Sequence, residues 1–124
     1  MSERHAGFDM AAIAAFCLSL PGACSDFKWG GVQVFSIARN KMFALLDLQG
    51  RGNLAFKVDD DLFLGFCDRP GIRPAPYLAR AHWISLTPPY QISPAELRYL
   101  LQRSHQLVVK RLPKVRQIGL LIDP

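Results

Sequence analysis

Between Val32 and Val58 the chain passes through three short apolar segments separated by turn residues, and this pattern most limits what it can fold into. Val32-Gln33-Val34-Phe35-Ser36-Ile37 alternates, with Val32, Val34 and Ser36 on one side and Phe35 and Ile37 on the other. Ala38-Arg39-Asn40 supplies a turn and Lys41 to Leu48 returns. Gln49-Gly50-Arg51-Gly52-Asn53 turns again, and Leu54 to Val58 completes the set. A side-chain period of two marks strands, and short Gly/Asn turns mark hairpins, so the segment predicts an antiparallel meander. Asp26 to Gly30 adds a weaker strand before it. His82 to Leu86 adds another after it, closed by Thr87-Pro88-Pro89.

Helices bracket this β-rich middle. Ile13, Phe16, Cys17 and Leu20 recur at spacings of three and four, which predicts a helix from about Met10 to Leu20, stopped by Pro21-Gly22. Asp9 is placed to cap it, with Phe8 and Ile13 as a hydrophobic staple. Asp59-Asp60-Asp61 introduces a short helix through about Cys67, where carboxylates would cap free amides and meet the positive end of the helix dipole. Asp68 to Pro76 is a Pro/Gly/Arg loop. Ser93-Pro94-Ala95-Glu96 combines a capping box with proline at the first helical position, and Ile92 and Leu97 form a staple. Leu97, Leu100, Leu101, Leu107, Val108 and Leu112 then line one side of a long helix up to Pro113, with Arg98, Gln102, Arg103, Gln106 and Lys110 on the other. The expected fold class is α+β: an antiparallel sheet, the meander plus a further strand, with the N- and C-terminal helices packed on one face.

A length of 124 residues suits one domain, residues 1–124, with its core at about 8–114 and an apolar tail at 115–124. Half of the residues are hydrophobic, which excludes a disordered chain. A formal charge of +5 permits a nucleic acid or an anionic surface as partner without requiring one. The basic residues are unevenly placed: Arg98, Arg103, Lys110, Arg111, Lys114 and Arg116 fall in a stretch without acids, which makes the C-terminal segment the positive pole. Cys17, Cys24 and Cys67 form no CxxC pair, so a zinc ribbon or thioredoxin-type motif is not supported, and reduced thiols in a cytoplasmic protein are expected. Arg4-His5 before Ala11–Leu20 imitates a short signal peptide. Glu3, Asp9 and Ser19 break that pattern, and the run is too short to span a bilayer. No cofactor and no metal is expected: Asp59 and Asp61 match the start of a calcium loop, but its twelfth position is Pro70. An enzyme would need Cys24 or Cys67 beside His82, and nothing in the sequence brings them together, so a noncatalytic protein is expected.

Arg73-Pro74-Ala75-Pro76-Tyr77-Leu78-Ala79-Arg80-Ala81-His82-Trp83 sets two prolines and two arginines among rings. Taken with Leu20-Pro21-Gly22-Ala23, Asp26-Phe27-Lys28-Trp29-Gly30, Val34-Phe35, Lys41-Met42-Phe43-Ala44, Leu107-Val108-Val109 and Leu112-Pro113-Lys114, in this order and spacing, it resembles the MmcQ/YjbR family from Leu18 to Lys114. The resemblance implies a small α+β domain related to the frataxin-like arrangement. It also implies a double-wing DNA-binding motif in which β-hairpins act as wings. Two features depart from that pattern: the turn Ala38-Arg39-Asn40 lacks glycine, and Ile118-Gly119-Leu120-Leu121-Ile122 forms an apolar tail, either core or a contact between chains. Frataxin-like iron handling would want an acidic first helix, which this chain lacks.

The expected activity is noncatalytic, mostly nonspecific DNA binding through the phosphate backbone, by Arg39 and Lys41 at the hairpin turn, Arg73 and Arg80 in the loop, and Lys110, Arg111 and Lys114 near the C-terminal helix end. Trp29, Tyr77, His82 and Trp83 are candidates for stacking or ligand contact. For Trp29, Tyr77 and Trp83 burial in the core is the competing expectation, and for His82 a buried polar contact. The alternative function is a protein- or small-ligand-binding module that uses Tyr77, His82 and Trp83 as a pocket wall. No membrane partner is expected, and a monomer is favoured.

Overall fold

The computed structural model describes residues 9–48 and 52–122; Phe8 of the proposed staple and Gln49 to Arg51 of the second turn lie outside them. Among the described residues six strands form one sheet: β1 (Cys24–Lys28), β2 (Val32–Ile37), β3 (Lys41–Asp47), β4 (Leu54–Lys57), β5 (Ile72–Pro74) and β6 (Trp83–Leu86). Their order is β1-β2-β3-β4-β6-β5 and every pairing is antiparallel. Three helices, α1 (Met10–Ser19), α2 (Phe63–Cys67) and α3 (Pro94–Val109), complete the α+β fold.

Local chemistry explains most of these boundaries. Asp9 accepts a hydrogen bond from the Ala12 amide and starts α1. Ser93 does the same for Glu96 at α3, with Pro94 at the first turn. The return half of that capping box is absent, because the Glu96 carboxylate makes two hydrogen bonds to Arg69 instead. The three aspartates before α2 do not cap it with their side chains either. Asp59 holds Arg103 and Asp60 holds His82, since a guanidinium or imidazole partner outcompetes an exposed amide. The loop expected from Asp68 to Pro76 contains edge strand β5. Pro74 is tolerated there because an edge strand can spare a donor.

The core lies between the sheet and the two terminal helices. Ile13 and Cys17 of α1 and Leu97, Leu100, Leu101 and Val109 of α3 pack against Phe35, Phe43, Leu46, Leu54, Phe56, Ile84 and Leu86. A β-bulge beside Phe35 and Ser36 leaves Phe43 as the extra residue of β3. Ser104 of α3 closes the gap: its hydroxyl donates to the Phe43 carbonyl and accepts from the Lys57 amide. His105 is fully buried and stands edge-on to the Phe43 ring at 5.2 Å. Its Nε2–H donates to the Pro21 carbonyl, which leaves Nδ1 to accept from the Gln106 side-chain Nε2. Burial holds the His105 pKa below 6.5.

Gln106 was expected on the solvent side of α3 and is buried. It donates to the Leu120 carbonyl and accepts from the Ile122 amide, so it ties the apolar tail to the domain. Leu120 and Ile122 pack on the core of their own chain, which answers the two alternatives for the tail at these residues. Gly22, at φ +70°, lies so close to Leu120 that a Cβ there would overlap the leucine side chain.

Candidate functional site

The helices cover one face of the sheet; the other face is open. Residues next to core positions point the opposite way, so Leu45, Ala55 and Ser85, paired across β3, β4 and β6, form an open-face row. With Val32 and Met42 they floor a cavity of about 550 Å³. Its walls come from the β1–β2 turn through Trp29 and from the segment Ala75 to Leu78. A second cavity, of about 840 Å³, shares Trp29, Met42 and Leu78 with the first and runs towards the end of α3. Lys28, Lys41, Lys57, Arg80 and Arg111 line it, against one carboxylate, Asp60. That carboxylate lies 2.6 Å from His82 Nδ1.

The rims of both cavities are built from unusual backbone. Trp29 (φ 49°), Tyr77 (φ 67°) and His82 (φ 61°) all adopt left-handed conformations that bulky residues avoid. At Tyr77 the cause is local. The Leu78 amide donates to the Ala75 carbonyl at 3.1 Å, which closes the turn Ala75-Pro76-Tyr77-Leu78. Proline in its second position and a positive φ in its third match a type II turn, where glycine is the usual third residue. The rings consequently project outward: Tyr77 is fully exposed and Trp29 is 66% exposed, so core burial is wrong for both. Trp83 is 5% exposed and buried as that reading had it. His82 is neither buried nor free: besides Asp60 it packs on the Phe63 ring at 5.0 Å.

The structure brings together part of the expected basic set. Lys41 at the start of β3, Arg80 in the short helical turn Ala79–Ala81 and Arg111 after α3 meet in the cation-lined groove. Arg39 lies in the hairpin turn beside a smaller cavity that shares Lys28, Asn40 and Met42 with the groove. That turn forms without glycine by placing Ala38 (φ 46°) and Arg39 (φ 78°) in positive-φ conformations. Arg73 pairs with Ser85 on the edge strand and projects from the open face, outside the groove. Lys110 and Lys114 are exposed but do not line the groove. Arg103 is engaged with Asp59, whose carboxyl it holds below the usual range chiefly by hydrogen bonding.

Lys28 and Lys57 belong to the groove and were not singled out from sequence. Lys57 follows Phe56, whose place in the alternation could have put Lys57 on the opposite side of the sheet. Its ammonium donates to the Ala81 carbonyl, and burial, aided by Arg111, lowers its pKa. Tyr77, His82 and Trp83 do not form one wall: Tyr77 lines the apolar cavity, while His82 and Trp83 line the groove. Of the cysteines, Cys24 lies against Ser36 and Cys17 is buried with its thiol pushed up to about 12. No cluster of His, Cys, Asp and Glu that could hold a metal ion is present among the described residues, and no helix there is long and apolar enough to cross a membrane.

Comparison with known proteins fits this architecture. A solved structure of a Deinococcus radiodurans protein with a DUF419 domain superposes with a TM-score of 0.78 at 24% identity, covering 89% of this chain and 86% of that one. A Pseudomonas syringae protein superposes with a TM-score of 0.67 at 22% identity, covering 81% and 98%. At these identities the likeness is one of fold. No curated protein matches the chain in sequence. The profile of the YjbR family matches residues 18–107, all six strands of the sheet and nearly all of α3, and the chain belongs to that family.

Proposed function

We propose that this protein binds DNA without catalysing a reaction on it, by neutralising backbone phosphates in the cation-lined groove. The observation that carries the reading is the convergence of Lys28, Lys41, Lys57, Arg80 and Arg111, from separate elements, on one groove whose single carboxylate is occupied by His82. Cations gathered on a concave surface focus their field, and each phosphate they neutralise releases a condensed counterion. Arg39 at the neighbouring hairpin turn extends the same charge towards a wing.

The test is a titration of a 20-base-pair duplex by fluorescence anisotropy at 50 and 200 mM salt. Five phosphate contacts give a log–log slope near about −4.5 and a loss of affinity of about 500-fold across that range. Lys41→Ala with Arg111→Ala should make the slope shallower by about 1.8, whereas Lys110→Ala with Lys114→Ala should leave it nearly unchanged. No salt-dependent binding at 50 mM refutes the proposal.

A further inference from the structure

The groove accounts for the cations but not for the apolar cavity beside it. That cavity opens at a rim where two bulky rings are held outward by strained turns, although each ring would be more stable buried. Its floor offers methyl groups and a thioether from Val32, Met42, Leu45 and Ala55. Asn53, on the same wall, has its side-chain oxygen buried without a hydrogen-bond partner among the described residues. A site of this kind suits a flat ring that is apolar on its faces and carries N–H donors on its edge. A hydrocarbon chain would leave the Asn53 oxygen unsatisfied.

From this geometry we infer that the open sheet face takes unpaired nucleobases, stacked on Trp29 and Tyr77, and that the protein therefore prefers single-stranded to duplex DNA. The inference rests on the phosphate reading of the adjoining groove. Because Trp29, Met42 and Leu78 belong to both cavities, a strand whose phosphates follow the groove brings its bases to the apolar floor. A base in a duplex is covered on both faces by its neighbours and cannot present a face to either ring. Unstacked bases can, and ring stacking on exposed tryptophan and tyrosine is tolerant of sequence.

The experiment compares three 20-residue probes at 100 mM salt: oligothymidylate, an abasic strand with the same phosphates, and a duplex. Binding is followed by probe anisotropy and by protein fluorescence, in which Trp29 is the exposed tryptophan and Trp83 the buried one. Oligothymidylate should bind at least about tenfold more tightly than the abasic strand and the duplex, the effect of one to two stacked bases, and should quench the emission. Tyr77→Ala and Trp29→Ala should each remove most of that advantage, and Tyr77→Ala, whose ring lines only the apolar cavity, should leave abasic binding unchanged; both rings are exposed, so both variants should fold. Trp29→Ala should also abolish the quench. Equal binding of oligothymidylate and the abasic strand overturns the base inference and leaves the groove reading standing. Binding of oligothymidylate without binding of the abasic strand supports base capture and overturns the groove reading. No salt-dependent binding of any probe overturns both. Quenching by decanoate, with none by oligothymidylate, assigns the cavity to an acyl chain and overturns the inference.

Discussion

Replacing Tyr77 by glycine should make this protein more stable, although it deletes the largest side chain of its turn. Tyr77 has φ 67° in a turn whose third position ordinarily takes glycine, and relief of a left-handed residue amounts to about 1–2 kcal/mol. Against this, glycine adds freedom to the unfolded chain, a cost of about 0.4–1 kcal/mol. Packing contributes almost nothing, because the ring is fully exposed and its removal uncovers no core surface. The net expectation is a gain of about 0.5–1 kcal/mol. In urea at 25 °C, with an m-value of about 1.5 kcal/mol/M, the midpoint should rise by about 0.3–0.7 M. Tyr77→Ala is the control: it removes the same ring but keeps the strained backbone, and should stay within about 0.5 kcal/mol of the parent. A glycine variant no more stable than the alanine variant would refute the strain argument. Both variants lose the ring that the base inference requires, so stability and single-strand binding should move in opposite directions at one position.

Two further predictions concern buried titratable groups. His105 is neutral in the fold with its pKa below 6.5, while the unfolded chain takes up its proton near 6.5; stability due to this residue is therefore complete above pH 6.5 and lost as pH falls through the folded pKa. Below pH 6.5 the stability of the parent should fall more steeply with pH than that of His105→Phe, as read from urea midpoints at pH values on either side of 6.5. Lys57→Met removes a buried ammonium and its hydrogen bond to Ala81 together, so stability should change by less than about 1 kcal/mol in a thermal melt. The same variant should make the salt slope of DNA binding shallower by about 0.9.

The elements that local chemistry specifies were legible before the fold was known. Asp9 and Ser93 begin helices because a short side-chain acceptor meets free amides, and both do so here. The alternation separated Phe35 and Ile37, which lie in the core, from Val34 on the other side of β2. Strand β5 was hidden because three residues ending in proline carry no readable period. The bulge at Phe43 was hidden because it depends on Ser104, sixty-one positions away, to satisfy the groups it leaves unpaired. Asp59 and Glu96 were read as caps because their distant arginine partners leave no trace in neighbouring sequence.

The same division holds for the site. Lys41, Arg80 and Arg111 were chosen for charge and turn position, and they do share the groove; Lys110 and Lys114 were chosen on the same grounds and do not line it. Charge is a property of the residue, but membership of a groove depends on strand register and on where α3 ends against the sheet. Trp29 and Tyr77 show the limit most clearly. Hydrophobicity assigns large rings to a core, and only the sign of φ, set by how each turn closes, sends them to solvent. The sequence by itself carried the family in the order and spacing of its motifs, and the α+β class, the starts of α1 and α3 and the alternation of the meander in local capping and periodicity. The tertiary structure alone decided which cations meet, which rings stand out and what lies beside them, because those depend on contacts between distant segments.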